Sequence, residues 1–140
     1  MSVSHVNPPI AIVLAAGKGT RMKGDLPKVV HPVGGRPMVC AVVDACRDAG
    51  CGRIIVVVGY KQELVREALA GYPEVEYAVQ DQQLGTGHAV LCAESLVGSA
   101  TPRADVVILA GDGPLIRAQT LRMLLHYKHG LMWESYVSRT

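Results

Sequence analysis

The sequence predicts an α/β fold in which an open, mainly parallel sheet carries helices on both faces. Apolar runs of strand length alternate with helix-length segments along most of the chain, as in repeated βαβ units. The predicted strands are residues 10–15, 53–59, 75–79 and 105–111. The predicted helices are residues 37–49, 62–71, 86–97 and 117–129.

The apolar pattern of the strands predicts their order in the sheet. The first, second and fourth strands are apolar at nearly every position, which is typical of strands covered on both faces. The third alternates Val75, Tyr77 and Val79 with Glu76 and Ala78, which places it at an edge. Right-handed crossovers then give the order 3-2-1-4, with the switch point between the first and fourth strands.

The fourth strand is the other predicted edge, so the sheet is expected to be incomplete at its C-terminal side. Its outer backbone groups would be open to self-association with a second chain unless another segment covers them. The tail, residues 131–140, has no interpretation beyond an apolar cover for that edge.

The composition is that of one ordinary globular domain of 140 residues, of which 49% are hydrophobic and 19% charged. A net charge of +2 is too small to indicate a general nucleic-acid or membrane-surface binder. The apolar stretch at 10–16 is too short for a signal peptide or a membrane span, so a cytoplasmic protein is expected. The four cysteines lack C-x-x-C spacing and are interpreted as reduced, small hydrophobic residues.

A glycine-rich, basic loop, LAAGKGTRMKGDLPK, occupies residues 14–28 at the end of the first strand. Open parallel sheets bind ligands at this end of the strands, and small residues let a phosphate or nucleoside approach the backbone. The small residues are Ala15, Ala16, Gly17 and Gly19; the basic ones are Lys18, Arg21, Lys23 and Lys28. With one aspartate the loop has a net charge of +3, which predicts a local anion site.

Two common phosphate loops do not match this segment. A P-loop requires a lysine after its second glycine, whereas Lys18 precedes Gly19, and a dinucleotide fingerprint requires a glycine where Met22 stands. The pattern alone leaves open a glycine-rich turn with solvated lysines.

Polar residues follow the third and fourth strands. Gln80 carries an amide, which can donate and accept at once, as an imide edge such as that of uracil demands. Asp112 follows an apolar strand, where a carboxylate either caps the next helix or holds a cation such as Mg²⁺. His126 and His129 are a weaker alternative metal pair, because surface histidines are common.

Three ordered segments resemble the signature of the sugar nucleotidyltransferases: LAAGKGTRM followed by LPK, VQDQQLGTGHA at 79–89 and VVILAGDGPLI at 106–116. The resemblance spans about residues 10–125, and the QLGTGHA segment is most similar to that of uridylyltransferases. It implies a Rossmann-like nucleotide-diphospho-sugar transferase fold, of which residues 1–140 are the N-terminal, nucleotide-binding part.

The resemblance also implies roles for individual residues. The nucleotide would be bound by Leu14, Ala15, Ala16, Gly17, Gly19, Lys28, Ala110, Gly111 and Asp112, and its uracil by Gln80, Gly85 and Thr86. Catalysis would depend on Arg21 and Lys28, which stabilise the phosphates, and Asp112 would hold Mg²⁺. A helix cap remains the alternative for Thr86 and Asp112, and His88 is interpreted as a structural residue of the first helical turn.

The implied reaction joins UTP and N-acetylglucosamine 1-phosphate into UDP-N-acetylglucosamine and pyrophosphate. Little or no turnover is expected from this chain, because the residues that hold the sugar in the family follow the segment present here. Two alternatives remain. One is a non-catalytic nucleotide-binding remnant; the other is a cytidylyl, thymidylyl or molybdopterin-guanylyl transferase, which shares the first loop.

Overall fold

A five-stranded sheet is the centre of the molecule. The computed structural model describes residues 8–17, 26–82, 84–97, 105–113, 117–126 and 137–139. The strands of the sheet are β1 (Ile10–Ala15), β4 (Arg53–Val58), β5 (Val75–Val79), β6 (Asp105–Ala110) and β7 (Val137–Arg139). Their order is β5-β4-β1-β6-β7, and the first four are parallel. The predicted order 3-2-1-4 is therefore confirmed, with the third predicted strand at an edge.

The fourth predicted strand is not the edge of the sheet, because a segment of the tail covers part of it. β7 pairs with β6 in the antiparallel direction, with Asp105 opposite Arg139 and Val107 opposite Val137. The tail, which the sequence allowed as a cover for this edge, thus supplies backbone hydrogen-bonding groups to the first three residues of β6. Self-association through this edge stays a prediction. Three residues are too few for a strand pattern to be recognisable in the sequence.

Helices cover both faces of the sheet, as predicted. They are α1 (Met38–Asp48), α2 (Gln62–Ala68), α3 (Thr86–Val97) and α4 (Ala118–His126). Alternate residues of β1 enter different cores: Ala11 and Val13 pack with α1, α2 and α4, whereas Ile10 and Ile12 pack with α3. This alternation explains why β1 is apolar at every position.

A short hairpin between β1 and α1 was not predicted. β2 (Pro32–Val33) and β3 (Arg36–Pro37) pair antiparallel around Gly34 and Gly35, whose φ angles are +65° and +86°. Both turn positions need a left-handed backbone, which glycine adopts without strain. A single 3-10 turn at Lys28–Val30 precedes the hairpin and places Val29 against Gly111, next to the end of β6.

Two further predictions can be compared with the structure. All four cysteines are free, and Cys40 and Cys46 are buried as small core residues. Among the described residues, no helix is long and apolar enough to cross a membrane.

A close backbone approach joins β1 to β6 just beyond the last paired residues. The Gly111 amide donates to the Leu14 carbonyl oxygen at 2.8 Å. A Cβ at Gly111 would lie 2.8 Å from that oxygen and 3.1 Å from a Val29 methyl group. Only glycine fits between these atoms without a shift of the backbone.

We therefore expect Gly111→Ala to lower the free energy of unfolding by about 1–3 kcal/mol, because the added methyl group meets a carbonyl oxygen that cannot move freely. Urea unfolding followed by circular dichroism measures the change. Gly71→Ala is the matched control, since nothing lies within 4 Å of a Cβ there. An equal loss in both variants would contradict the steric argument.

An ion pair links the edge strand β5 to β4. Arg53 donates from Nε to Glu76 Oε2 at 2.9 Å and from Nη2 to Glu76 Oε1 at 2.6 Å. Nη2 also donates to the Leu96 carbonyl oxygen near the end of α3, at 3.1 Å. The hydrogen bonds from Arg53 hold the pKa of the Glu76 carboxyl below its ordinary value of 4.5, against the opposing effect of burial.

Because the pKa of Glu76 is lower in the folded chain, the pair stabilises the fold above pH 4.5 and loses this effect as the pH falls through the folded-state pKa. We expect Glu76→Gln to cost about 0.5–1 kcal/mol near neutral pH, since the pair is partly solvated. This difference should vanish in acid. Urea unfolding over a pH series measures it, with Glu67→Gln on the exposed side of α2 as the control. A difference independent of pH would contradict the ionic origin.

Candidate active site

The carboxyl ends of three parallel strands meet at one edge of the sheet. β1 ends at Ala15, β5 at Val79 and β6 at Ala110, and the chain then continues into Gly17, Gln80 and Asp112. β1 and β6 are neighbours in the sheet, although β4, β5 and three helices lie between them in the sequence. Ligand sites of open α/β sheets lie at such a switch point.

A cavity of about 290 Å³ lies at this edge, between the strand ends and the start of α3. Its volume is close to the lower end of the range for small-molecule sites, about 300 Å³. The cavity is lined by Leu14, Ala16, Gly17, Gln80, Gly85, Thr86, Ala89 and Ala110. All of these except Ala89 are among the predicted nucleotide-binding residues, so the structure brings together segments that the sequence keeps apart.

Most of the cavity wall is formed by residues with little or no side chain. Gly85 has a φ of +98°, which a larger residue would adopt only with strain. Gly17, Ala16 and Ala110 likewise leave the backbone open to a ligand. Among the lining residues only Gln80 and Thr86 carry polar side chains. The site therefore combines a mostly apolar cavity with few polar side chains, which is the usual arrangement of a small-molecule site.

Gln80 is the buried polar residue of this site, with 3% of its surface exposed. Its backbone amide donates to the Val58 carbonyl oxygen at 2.8 Å, which extends the β4–β5 pairing by one residue. Its side-chain Nε2 lies 3.2 Å from the Gly85 carbonyl oxygen and 3.0 Å from His88 Nδ1. These contacts hold the amide in place at the cavity wall.

His88 was interpreted from the sequence as a structural residue of the first helical turn. It does lie in the first turn of α3, but its ring also contacts the predicted base-reading amide. Nothing in a single sequence marks the pair, because Gln80 and His88 approach each other only after the loop folds back onto α3.

Two predicted residues lie behind the cavity rather than in its wall. Ala15 is buried in the core cluster that packs with α1, and Gly111 is buried against Leu14. Both allow the close packing of β1 and β6 that forms the base of the site. Gly19 and Arg21, together with Lys18 and Lys23, lie outside the described residues, as does His129.

Lys28 and Asp112 come together beside the strand ends. Lys28 Nζ lies 3.5 Å from Asp112 Oδ2, and each side chain is 37% exposed. Asp112 sits in a turn closed by the Gly113 amide, which donates to the Ala110 carbonyl oxygen at 3.3 Å. The pair is long and solvated, so both groups remain available to a ligand.

Asp112 offers one carboxylate to the predicted Mg²⁺. Among the described residues, no three His, Cys, Asp or Glu side chains form a group that could hold a metal ion. Mg²⁺ in nucleotide sites commonly takes one or two carboxylates and completes its shell with phosphates and water. Asp112 fits a metal of that kind.

Comparison with known families identifies the domain. A family model described as the MobA-like NTP transferase domain matches residues 11–131. The chain belongs to this family. This MobA-like NTP transferase domain is 53% identical over 115 residues to the bifunctional protein GlmU of Geobacter metallireducens, covering 82% of the chain and 24% of that relative. It is 50% identical over 114 residues to the GlmU of Cellvibrio japonicus, covering 81% of the chain and 24% of the relative.

The domain thus spans about a quarter of the length of these relatives, and the matched segment is their N-terminal part. Among solved structures it is similar to a nucleotidyl transferase from Methanothermobacter thermautotroptrophicus, with a TM-score of 0.75 and 29% identity over 86% of the chain and 58% of that protein. The inositol-1-phosphate CTP transferase from T. maritima gives a TM-score of 0.63 and 26% identity over 75% of the chain and 44% of that protein. The Rossmann-like nucleotidyltransferase fold is therefore confirmed.

The long, solvated Lys28–Asp112 pair predicts that Lys28→Met changes the free energy of unfolding by less than about 1 kcal/mol. If Lys28 binds phosphates of the nucleotide, the same variant loses about 10- to 150-fold in affinity for UTP and almost nothing for uridine, since a hydrogen bond to a charged group contributes about 1.5–3 kcal/mol. Isothermal titration calorimetry with both ligands measures the difference. An equal loss for uridine and UTP would contradict a phosphate contact.

Proposed function

We propose that this MobA-like NTP transferase domain binds UTP and forms the donor half of a uridylyltransferase whose second substrate is N-acetylglucosamine 1-phosphate. The observation that carries this proposal is the buried Gln80 amide in a slot of small residues, beside the charged pair Lys28–Asp112. The choice of UTP and of the sugar phosphate is supported by the resemblance of the QLGTGHA segment to that of uridylyltransferases.

The base would lie in the cavity, with its edge toward Gln80 and the first turn of α3. Backbone groups of Gly85 and Thr86 are accessible there, because Gly85 has no side chain and Thr86 is exposed. Leu14, Ala16 and Ala110 would contact the flat faces of the base and the ribose. A buried amide that is already held by two contacts needs no reordering when the base binds, so little conformational entropy is lost.

The phosphates would extend from the cavity toward Lys28, and Arg21 is the second cation that the motif resemblance assigns to them. An oxygen of the sugar phosphate attacks the α-phosphorus of UTP; the new P–O bond forms as the bond to pyrophosphate breaks. The nucleophile is already an anion, so no general base is needed, and the requirement is for cations that neutralise the accumulating charge. A Mg²⁺ ion on Asp112 supplies part of that neutralisation when bound.

The proposal for this chain is nucleotide binding, with little or no turnover. The described residues supply candidate contacts for the donor nucleotide, and the proposal assigns none of them to the acetamido sugar. A chain that binds UTP without releasing pyrophosphate would fit this expectation. Multiple turnover with UTP and N-acetylglucosamine 1-phosphate would show a more complete site than we propose.

Calorimetric titration of the 140-residue chain with UTP, CTP, dTTP and GTP, each with Mg²⁺, tests the proposal. We expect UTP to bind at least about 5-fold more tightly than CTP, because a mismatched polar contact in a buried site costs about 1 kcal/mol or more. Gln80→Ala should abolish this preference, whereas Gln82→Ala, at an exposed position of the same loop, should retain it. Preference for GTP or CTP would replace the uridylyl assignment, and binding of no nucleotide would contradict the proposed function.

A further inference from the structure

The contact between His88 and Gln80 constrains which atom of the amide faces the cavity. Gly85 offers a carbonyl oxygen, which only accepts hydrogen bonds, so the Gln80 atom 3.2 Å away must be the NH₂ group. The second hydrogen of that NH₂ group lies toward His88 Nδ1 at 3.0 Å. Gln80 therefore donates twice through Nε2.

The double donation also fixes the tautomer of His88. Nδ1 accepts a hydrogen bond only when it carries a lone pair, so the ring proton resides on Nε2. Nε2 lies 4.0 Å from Cys92 Sγ, one helical turn further along α3, and sulfur is a weak acceptor at such a distance. In this series of contacts, Gly85 to Gln80 to His88 to Cys92, each donor thus faces an acceptor.

Both hydrogen bonds that Gln80 makes through its side chain to described residues are donated by Nε2. Nε2 is thus engaged by Gly85 and His88, so a ligand bound by this cavity-lining side chain would be bound through Oε1. A carbonyl oxygen binds an N–H group, which uracil and thymine present at N3. Cytosine has an unprotonated N3 at the same position, and its lone pair would face that of Oε1.

We propose that His88 is the positioning residue for base choice: by accepting from Gln80 Nε2 it holds Oε1 toward the base, so that the cavity binds imide bases and rejects cytosine. This inference rests on the proposed function, since it assumes that the base of a nucleotide occupies the cavity. It assigns to His88 a role that goes beyond helix structure. His88 acts only through Gln80 and touches no reacting atom.

Variants at position 88 separate this role from a structural one. His88→Leu replaces the imidazole with an apolar side chain of similar size that has no acceptor, so one hydrogen of the buried Nε2 loses its partner. We expect the ratio of UTP to CTP affinity to fall about 5- to 10-fold, which is the effect of one neutral hydrogen bond. His88→Asn can place Oδ1 near the former Nδ1 and should keep the ratio within about twofold of the unmodified chain. Leu91→Ala, on the exposed side of α3, is the matched control and should leave the ratio unchanged.

The calorimetric result distinguishes the two proposals. If the unmodified chain prefers UTP and His88→Leu retains that preference, the inference about His88 is wrong and the proposed function stands. If the unmodified chain has no preference for UTP, the proposed function fails, and the base-choice role of His88 with it. If His88→Leu and His88→Asn lower the ratio of UTP to CTP affinity equally, His88 has a packing role, and this result would also overturn the inference.

Nitrogen-15 NMR of the histidine rings in the nucleotide-free chain tests the tautomer without any ligand. The two ring nitrogens of a neutral histidine have well-separated chemical shifts, and His88→Asn identifies the signals of His88. We expect Nδ1 to be the unprotonated nitrogen and Nε2 to carry the proton. A proton on Nδ1 would overturn the inference, because Gln80 would then have to turn Oε1 toward the ring and away from the base.

Discussion

The backbone contact between Gly111 and Leu14 determines the geometry of the site. This single hydrogen bond extends the parallel pairing of β1 and β6 past the last paired residues, in a space that admits no Cβ. It places Ala110 in the cavity wall and Asp112 within reach of Lys28. If these strands were further apart, the cavity that we assign to the base would be separated from the charged groups that we assign to the phosphates.

The second constraint is the burial of an amide. Placing Gln80 almost fully out of water would be unfavourable if its NH₂ group lacked partners, and the start of α3 supplies both of them. The same contacts that satisfy the amide also prevent it from rotating. Folding energy and ligand recognition thus depend on the same few atoms, so substitutions at this point are expected to change both, and only ratios between ligands separate the two effects.

Much of the architecture was predictable from the sequence, because strands covered on both faces are continuously apolar and the edge strand containing Glu76 alternates. The short hairpin around Gly34 and Gly35 and the strand β7 were missed, since two or three residues carry no periodic signal. In the site, the cavity residues followed from three motifs. The pairing of Lys28 with Asp112 and the contact of Gln80 with His88 depend on the three-dimensional path of the loops, which residue spacing does not encode.

The cavity is built mainly from backbone and very small side chains, and this composition limits how the site can change. A larger residue at Gly17, Ala16 or Ala110 would fill the space that a ligand needs, and Gly85 has a backbone conformation that disfavours side chains. Few single substitutions could therefore exclude a synthetic ligand that binds these backbone groups and still admit a nucleotide. Resistance to such a compound by a single substitution in the cavity wall is therefore expected to be rare.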